Sequence, residues 1–174
     1  MAAFAYEAPF GLLGIEVTPR GLRRLEFLTH GREPKTRSYG SQWREEAAQG
    51  PDEEAMVEAV VWELDAYFAG ERLRFDLPLD IEGGTEFQRR VWRTIAAIPF
   101  GQTLTYAQVA AAAGAPNAYR AAGSACGANP VAIVIPCHRV VGTDRRLHGF
   151  GGGLPTKAWL LEHEAKVLAR TPVA

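Results

Sequence analysis

The spacing of apolar residues changes along this chain, and the change limits the folds that the chain can adopt. Near the N-terminus, Ile15 and Val17 alternate with smaller or polar neighbours, and a period of two is typical of a strand with one buried face. Between residues 53 and 69 the period becomes helical, with Met56, Val60 and Leu64 on one face. We therefore expect an α+β protein in which strands open the chain and helices come after them.

Turn-forming and capping residues mark the ends of these first elements. The run Thr18-Pro19-Arg20-Gly21 interrupts the strand-like residues 3–28, so a β-hairpin is expected there. The helix over residues 53–69 is predicted to have Asp52 as its N-terminal cap and to end at Gly70.

A boundary is predicted near the middle of the chain. Residues 73–77 alternate like a further strand, and the pair Gly83-Gly84 follows them. We therefore predict two domains, residues 1–83 and residues 84–174.

The second half contains several signals for helix starts. Thr85 and Thr105 are each followed three residues later by glutamine, which is the spacing of a capping box. The helix after Thr105 is expected to end near Gly114-Ala115-Pro116, and a second short helix is expected over residues 117–127. Pro155 suits the first turn of a last helix. Two short helices joined by a turn form a helix-turn-helix pattern, which serves packing more often than DNA binding.

Composition excludes several classes of protein. Hydrophobic residues make up 47% and charged residues 22% of the chain, as in a soluble globular protein, and no apolar run approaches the roughly 20 residues that cross a bilayer. No signal peptide is recognisable. Cys126 and Cys137 are too few for a disulfide scaffold or a cysteine-rich zinc site, so we expect a cytoplasmic protein without a metal centre.

The net charge of −1 conceals a difference between the two halves. Residues 1–84 contain 9 Lys and Arg against 16 Asp and Glu, a charge of −7, whereas residues 85–174 contain 10 against 4, a charge of +6. A basic half is expected of a unit that binds a polyanion, although solvated surfaces produce the same asymmetry.

Residues 133–142 combine an apolar run with a cysteine between a proline and a histidine. Free cysteine is among the most buried residue types, so base rates favour a structural role for Cys137 by about two to one. Its neighbours favour the other interpretation, a nucleophile presented on rigid backbone. The glycine-rich run 149–153 would let backbone amides approach a ligand closely, but it lacks the spacing of a phosphate-binding loop.

The motifs of the second half resemble those of the methylated-DNA–protein-cysteine methyltransferases, the O6-alkylguanine-DNA alkyltransferase family. The proline-cysteine-histidine-arginine sequence at 136–139, with its upstream and downstream spacing, is highly specific. The N-terminal hairpin resembles the family more loosely. The motifs that carry the resemblance are Phe87-Gln88, Val91-Trp92, Ile98-Pro99-Phe100-Gly101, Thr105-Tyr106, Arg120-Ala121-Ala122-Gly123, Asn129-Pro130, Ile135-Pro136-Cys137-His138-Arg139-Val140, Gly151-Gly152, Trp159-Leu160-Leu161 and Glu164.

This resemblance implies a fold and a reaction. It implies a small ribonuclease-H-like N-terminal domain and a winged-helix-like C-terminal domain with a helix-turn-helix. Cys137 would accept an alkyl group from O6-alkylguanine, and less well from O4-alkylthymine, in double-stranded DNA. His138 would act on Cys137 through a water, and Glu164 would orient the imidazole. The product is a thioether, so each molecule would act once, as a monomer and without a cofactor.

The resemblance also implies how DNA is held. The helix-turn-helix would enter the minor groove, with Ala121 and Gly123 allowing close approach and Arg120 filling the gap left by a flipped nucleotide. Tyr106 would push on the phosphate of that nucleotide. Asn129 is placed with these DNA-binding residues, and the turn that it begins would join the second helix to an active-site strand and support the cysteine loop.

The base pocket is expected to be formed by Tyr106, Val140, Phe150 and Gly151. Phe150 stands where many family members have tyrosine, and Gly151 where serine is common. An aromatic wall is therefore kept while hydroxyl donors are lost, so a hydrogen bond to O6 would have to come from backbone N–H.

Four other residues are expected to have structural roles. Cys126 would pack within its helix and take no part in the reaction, and Arg139 would be an ion-pair partner. His148 and His163 would be surface or helix-packing residues. Two rival functions remain open from the residues, a sensor that binds alkylated bases without repairing them and a cysteine hydrolase with turnover.

Overall fold

The computed structural model describes residues 1–28, 44–144 and 149–170, so His148 lies outside the described residues. The chain divides into two compact units, Met1–Glu82 and Gly83–Ala174. Strands begin the chain and helices dominate the remainder, which confirms the predicted α+β class. Whether residues 1–83 and 84–174 fold as independent domains stays a prediction.

The first unit is built on a three-stranded antiparallel sheet. Strands β1 (Ala2–Ala8), β2 (Gly11–Thr18) and β3 (Gly21–Phe27) lie side by side in chain order. The predicted hairpin is therefore present as β2 and β3, and β1 extends it by one strand. Ile15 and Val17 of the central strand are fully buried, as their alternation predicted.

Helix α1 (Pro51–Phe68) packs against this sheet. Val60 and Leu64 are fully buried, in agreement with the predicted apolar face. The predicted cap is wrong, because Gly50 is the N-cap residue and Asp52 lies inside the first turn. Asp52 there can still interact favourably with the positive end of the helix dipole.

The strand predicted at residues 73–77 is absent, although a single bridge joins Leu79 to Leu22. The backbone N–H of Asp76 donates instead to the carboxylate of Glu63 on α1, at 2.9 Å. The guanidinium group of Arg72 pairs with the carboxylates of Glu63 and Asp76, at 2.9 Å and 2.8 Å. The alternation was therefore misleading, because side chains of the helix satisfy a backbone group that a strand would use for pairing.

The second unit begins with helices α2 (Glu86–Ala96) and α3 (Tyr106–Ala112). Both of the predicted capping boxes, at Thr85 and Thr105, are confirmed in full. Local sequence was sufficient here because a capping box uses only groups within four residues of each other.

Helix α4 (Tyr119–Gly127) follows α3 and completes the predicted helix-turn-helix. The indole N–H of Trp92 on α2 donates a buried 2.8 Å hydrogen bond to the carbonyl of Ala125, which ties α4 to the core. The last helix, α5 (Leu154–Arg170), has Pro155 in its first turn, as predicted. None of the helices within the described residues is long and apolar enough to cross a membrane.

The segment that presents Cys137 is not the predicted strand. One bridge joins Ala132 to Ile135, and Cys137–Arg139 forms a short 3₁₀-helix. Ile133 has a φ of 70°, a conformation that is unfavourable for a β-branched residue. The β-branched composition that suggested a strand instead fills a buried, tightly turned loop. This loop leads into β5 (Val140–Val141), which pairs in parallel with β4 (Leu104–Thr105).

Candidate active site

Cys137 lies at the start of the 3₁₀-helix and is buried, with 8% of its surface exposed. The side chain of Asn129 organises the loop before it, donating to the carbonyl of Ile135 at 2.8 Å and accepting from the N–H of Val131 at 3.0 Å. Burial raises the pKa of the Cys137 thiol, while a hydrogen bond from Asn129 and the charge of Lys157 act in the opposite direction. Asn129 therefore lies where the expected loop-supporting role requires it.

His138 and Glu164 meet in the interior of the second unit. Both side chains are fully buried, and His138 Nε2 lies 2.7 Å from Glu164 Oε2. Burial lowers the pKa of His138, although Glu164 partly offsets this effect, so the imidazole is neutral near pH 7. The other ring nitrogen, Nδ1, is buried and has no hydrogen-bond partner among the described residues.

Arg139 holds the same carboxylate, which identifies the ion-pair partner that the sequence could not name. Its Nε and Nη2 donate to the two oxygens of Glu164 at 2.8 Å and 3.0 Å, a bidentate geometry. Burial would raise the pKa of Glu164, but the hydrogen bonds and charges of His138 and Arg139 outweigh it and hold that pKa well below its usual range. Glu164 is therefore an anion that accepts hydrogen bonds.

The motif at residues 98–101 supports this group from the other side. Arg139 Nη1 donates to the carbonyl of Ile98 at 2.7 Å, and the N–H of Gly101 donates to Glu164 at 3.0 Å. Gly101 has a φ of 76°, and a Cβ there would clash with the side chain of Leu168. The backbone conformation is the reason for glycine here, and a Cβ would in addition displace the side chain of Leu168.

Lys157 is a site residue that the sequence interpretation missed. Its side chain is fully buried on α5, and Nζ donates a 2.6 Å hydrogen bond to the carbonyl of Val140. A lysine on the same helical face as Leu160, Glu164 and Val167 was a usable signal, because lysine is rarely buried without a specific partner.

Two of the predicted base-pocket residues flank this ammonium group. Lys157 Nζ lies 5.7 Å from the ring centroid of Tyr106 and 5.9 Å from that of Phe150, within the range of a cation–π interaction. Burial, together with the charges of Cys126 and Cys137, raises the pKa of Tyr106 to about 12. The ammonium group of Lys157 therefore contacts the carbonyl of Val140 and the rings of Tyr106 and Phe150 at the same time.

Gly151 and the outer face of α4 are accessible. A Cβ on Gly151 would meet no atom within 4 Å, so space alone does not demand glycine there. Arg120 and Ala121 are exposed, and the Arg120 guanidinium lies 5.9 Å from the ring centroid of Tyr119. Gly123 is half-buried, and a Cβ there would make ordinary contact with Tyr106. The DNA-binding roles of these residues stay predictions.

The remaining cysteine and histidine lie in different surroundings. Cys126 is half-buried, and burial, followed by the charge of Cys137, raises its pKa to about 12, so it remains a thiol at neutral pH. His163 is half-buried and stacks on Trp159, one turn earlier on the same helix, with ring centroids 5.0 Å apart. Within the described residues, no cluster of three or more His, Cys, Asp or Glu could hold a metal ion.

Two family models match the chain. Residues 4–81 match the ribonuclease-like domain of 6-O-methylguanine DNA methyltransferase, and residues 86–166 match its DNA-binding domain. Together they cover both units and agree with the predicted ribonuclease-like and helical DNA-binding parts.

Similar sequences and structures extend this likeness. A methylated-DNA–protein-cysteine methyltransferase of Mycolicibacterium paratuberculosis is 54% identical over 61% of this chain, a match that covers 64% of the relative, slightly less than two thirds of its length. One of Methanosarcina barkeri is 39% identical over 91% of this chain and 93% of the relative. The crystal structure of O6-methylguanine methyltransferase from Mycobacterium tuberculosis has a TM-score of 0.80 at 38% identity, over 99% of this chain and 96% of that one. A structure of the M. tuberculosis protein in complex with DNA has a TM-score of 0.78 at 39% identity, over 94% and 92%.

Proposed function

Since the chain belongs to the methylated-DNA–protein-cysteine methyltransferase family, a family of enzymes, we propose that it repairs DNA by moving an alkyl group from O6 of guanine to Cys137. The observation that carries the proposal is the buried Cys137 next to a His138 that is held by an ionised Glu164. Such a nucleophile, base and orienting anion are the parts that activate a thiol.

The transfer is a single displacement. The sulfur of Cys137, after losing its proton, attacks the alkyl carbon, so an S–C bond forms while the C–O6 bond breaks. The electron pair of the broken bond stays on O6, and the guanine takes up one proton. The normal base is thereby restored within the DNA strand. Cysteine plus alkylguanine thus gives S-alkylcysteine plus guanine, and no cofactor is consumed.

The proton leaves Cys137 through His138. Arg139 keeps Glu164 ionised, and the anion accepts the Nε2 proton of the imidazole, which leaves Nδ1 as the basic nitrogen. Nδ1 is the ring atom without a partner among the described residues, so a water between it and Cys137 can relay the proton. A neutral starting imidazole, favoured by burial, is what a base requires.

Each molecule acts once. A thioether carbon–sulfur bond is not readily hydrolysed by water or by a neighbouring base, so an alkylated Cys137 is not regenerated. All the proposed reacting groups come from one chain, so a monomer suffices, and a reducing cytoplasm would keep the thiol available.

Double-stranded DNA is the proposed partner, and the M. tuberculosis relative in complex with DNA supports this choice. The lesion lies within the base stack, so the nucleotide has to be flipped out before the sulfur can reach it. The exposed Arg120 is suited to fill the gap, while the small residues Ala121 and Gly123 let α4 approach the minor groove. Tyr106 lies beside the Lys157 ammonium group and would contact the flipped base.

The base pocket is proposed to accept O6-alkylguanine and, less well, O4-alkylthymine. The carbonyl of Val140 accepts a hydrogen bond from Lys157, and its second lone pair would accept the guanine amino group. Phe150 and Gly151 have no hydroxyl, so a donor to O6 would be a backbone N–H of the Gly151 region.

Intact-mass measurement tests the reaction directly. After incubation with an O6-methylguanine duplex, the wild type should gain the mass of one methylene per chain and then stop. Cys137→Ala should bind the duplex without any gain, whereas the matched Cys126→Ala should gain the group normally. Binding without mass gain by the wild type would support a non-repairing sensor, and continued turnover would support a hydrolase.

The proposed role of Arg120 in base flipping is tested by comparing two substrates, a duplex and a free base. Arg120→Ala should slow repair of the duplex by roughly tenfold, as expected if about 1.4 kcal/mol of flipping free energy is lost, and leave the reaction with free O6-benzylguanine unchanged. Equal slowing on both substrates would remove Arg120 from the flipping step.

A further inference from the structure

The ammonium group of Lys157 is fully buried, so its positive charge needs hydrogen-bond acceptors or negative charge nearby. Burial lowers its pKa, and the charges of Cys137 and Cys126 act in the opposite direction. The carbonyl of Val140 and the ring faces of Tyr106 and Phe150 hold the group in place. The N–H of the same Val140 donates to the carbonyl of Cys137, so the ammonium group lies against the turn that begins at the nucleophile. A long, flexible side chain is thereby confined to one position in the pocket.

The other buried charges near the nucleophile are already balanced. Glu164 is held by Arg139 in a bidentate pair, and His138 is neutral before it receives a proton. When the proton of Cys137 passes to His138, the imidazolium faces Glu164 through Nε2, while the negative charge that forms on the sulfur gains nothing from Arg139, whose donors are directed at Glu164 and at the carbonyl of Ile98.

The titratable groups that face Cys137 are few within the described residues. Cys126 on α4 and Tyr106 on α3 both have pKa values raised to about 12, so they are neutral near pH 7. His138 lies on the same 3₁₀-helix, and Lys157 on α5 is the cation that interacts favourably with the thiolate.

Resting on the function proposed above, we propose that Lys157 is a positioning residue whose buried positive charge stabilises the Cys137 thiolate from the face of the pocket formed by Tyr106 and Phe150. His138 removes the proton, and Lys157 lowers the free energy of the anion that remains. As the S–C bond forms and the C–O6 bond breaks, negative charge moves from the sulfur to the departing guanine. The lysine keeps its own proton throughout and is not consumed.

The thiolate population can be measured without DNA. The rate at which iodoacetamide modifies Cys137, located by peptide mass spectrometry to separate it from Cys126, is followed as a function of pH. Lys157→Met keeps the length of the side chain and removes the charge, so we expect roughly tenfold slower modification at pH 7 and a midpoint about one pH unit higher. Lys157→Arg should restore part of the rate.

Lys166 provides the matched control. It lies on the same helix, is exposed, and pairs with Glu162 at 2.9 Å. Lys166→Met should therefore keep the wild-type profile. An unchanged profile in a folded Lys157→Met variant would overturn the proposal, whereas failure of the wild type to accept an alkyl group from DNA would overturn only the proposed function.

A second measurement covers the case in which Lys157→Met does not fold. In Cys137→Ser, which keeps the shape of the site, selective lysine NMR should report a lower pKa for Lys157 than in the wild type, because the thiolate that raises it is gone. Equal Lys157 pKa values in the two proteins would contradict the proposed coupling.

Discussion

Glu26 in the first unit is half-buried and Glu164 in the second unit is fully buried, and their pKa values move in opposite directions. Burial raises the pKa of Glu26 to about 7, and the charge of Arg24 offsets only part of the effect. Within the described residues, Glu26 Oε1 has no hydrogen-bond partner. Glu164 is more deeply buried, but its partners His138 and Arg139 hold its pKa well below the usual range.

The difference shows what an ionised buried carboxylate requires. Burial alone makes the neutral acid more favourable, as at Glu26, and two or more donors directed at the oxygens reverse that preference. In the second unit the Glu164 anion accepts the Nε2 proton of His138, so Nδ1 is the basic nitrogen of that ring. Glu26 has no such arrangement, so we assign it no chemical role.

Removing the charge of Glu164 should have the largest effect. Glu164→Gln leaves Arg139 buried without its anion, so we expect a loss of about 3–5 kcal/mol in the free energy of unfolding. Alkyl transfer should slow by on the order of a hundredfold, because His138 loses the group that orients it. Urea denaturation and intact-mass kinetics measure the two effects.

The control for that variant is Glu162→Gln, an exposed carboxylate on the same helix that pairs only with Lys166 among the described contacts. It should change the free energy of unfolding by less than about 1 kcal/mol. Similar results for the two variants would show that the burial of Glu164 has no special importance.

Acidification should have the next largest effect, because it should destabilise the buried site of the second unit. His138 has a lowered pKa when folded, so its contribution to stability is complete above the unfolded value of about 6.5 and is lost as the pH falls. The contribution of Glu164 is lost in the same way as the pH falls below about 4.5, its own unfolded value. Hydrogen exchange followed by peptide mass spectrometry should show protection in α5 decreasing between pH 7 and pH 4. Constant protection of α5 over this range would contradict the assigned shifts.

Glu26 should show the smallest effect and the opposite sign. Its pKa is raised on folding, so its contribution is complete below the unfolded value of about 4.5 and is lost as the pH rises through about 7. Glu26→Gln should therefore stabilise the protein at pH 8 by about 1 kcal/mol, after allowance for solvent screening. Thermal unfolding at pH 8 and pH 4.5 measures it, and the gain should vanish at the lower pH.

Glu7→Gln on β1 is the matched substitution, since Glu7 is exposed. It should leave stability unchanged at both pH values. A gain for Glu7→Gln at pH 8 equal to that of Glu26→Gln would mean that net charge, and not burial, is responsible.

Features that depend on nearby residues were predictable. The capping boxes at Thr85 and Thr105 and the turn between β2 and β3 were found because each uses groups only a few residues apart. The helix-turn-helix followed from the same signals. Cys137 was recognised from its immediate neighbours and from the spacing of the family motifs.

The two wrongly predicted strands have one physical origin, a side chain from outside the strand that takes its backbone groups. Glu63 takes the backbone N–H of Asp76, so the alternating residues 73–77 form no strand. The apolar run before Cys137 resembles a strand, but the side chain of Asn129 bonds its backbone and closes it into a loop. Neither partner could be chosen from local propensity, because each is selected by packing.

The α+β class, the capping boxes at Thr85 and Thr105 and the family could be determined from the order of residues, because they depend on local chemistry or on the spacing of motifs. The choice of Cys137 as the nucleophile has the same basis and stays a prediction. The charges of the site could not, since they arise from contacts made on folding. Folding brought Arg139 to Glu164 and placed Lys157 against Tyr106 and Phe150. Electrostatic interactions act through space, so a pKa is a property of the folded surroundings and not of position along the chain.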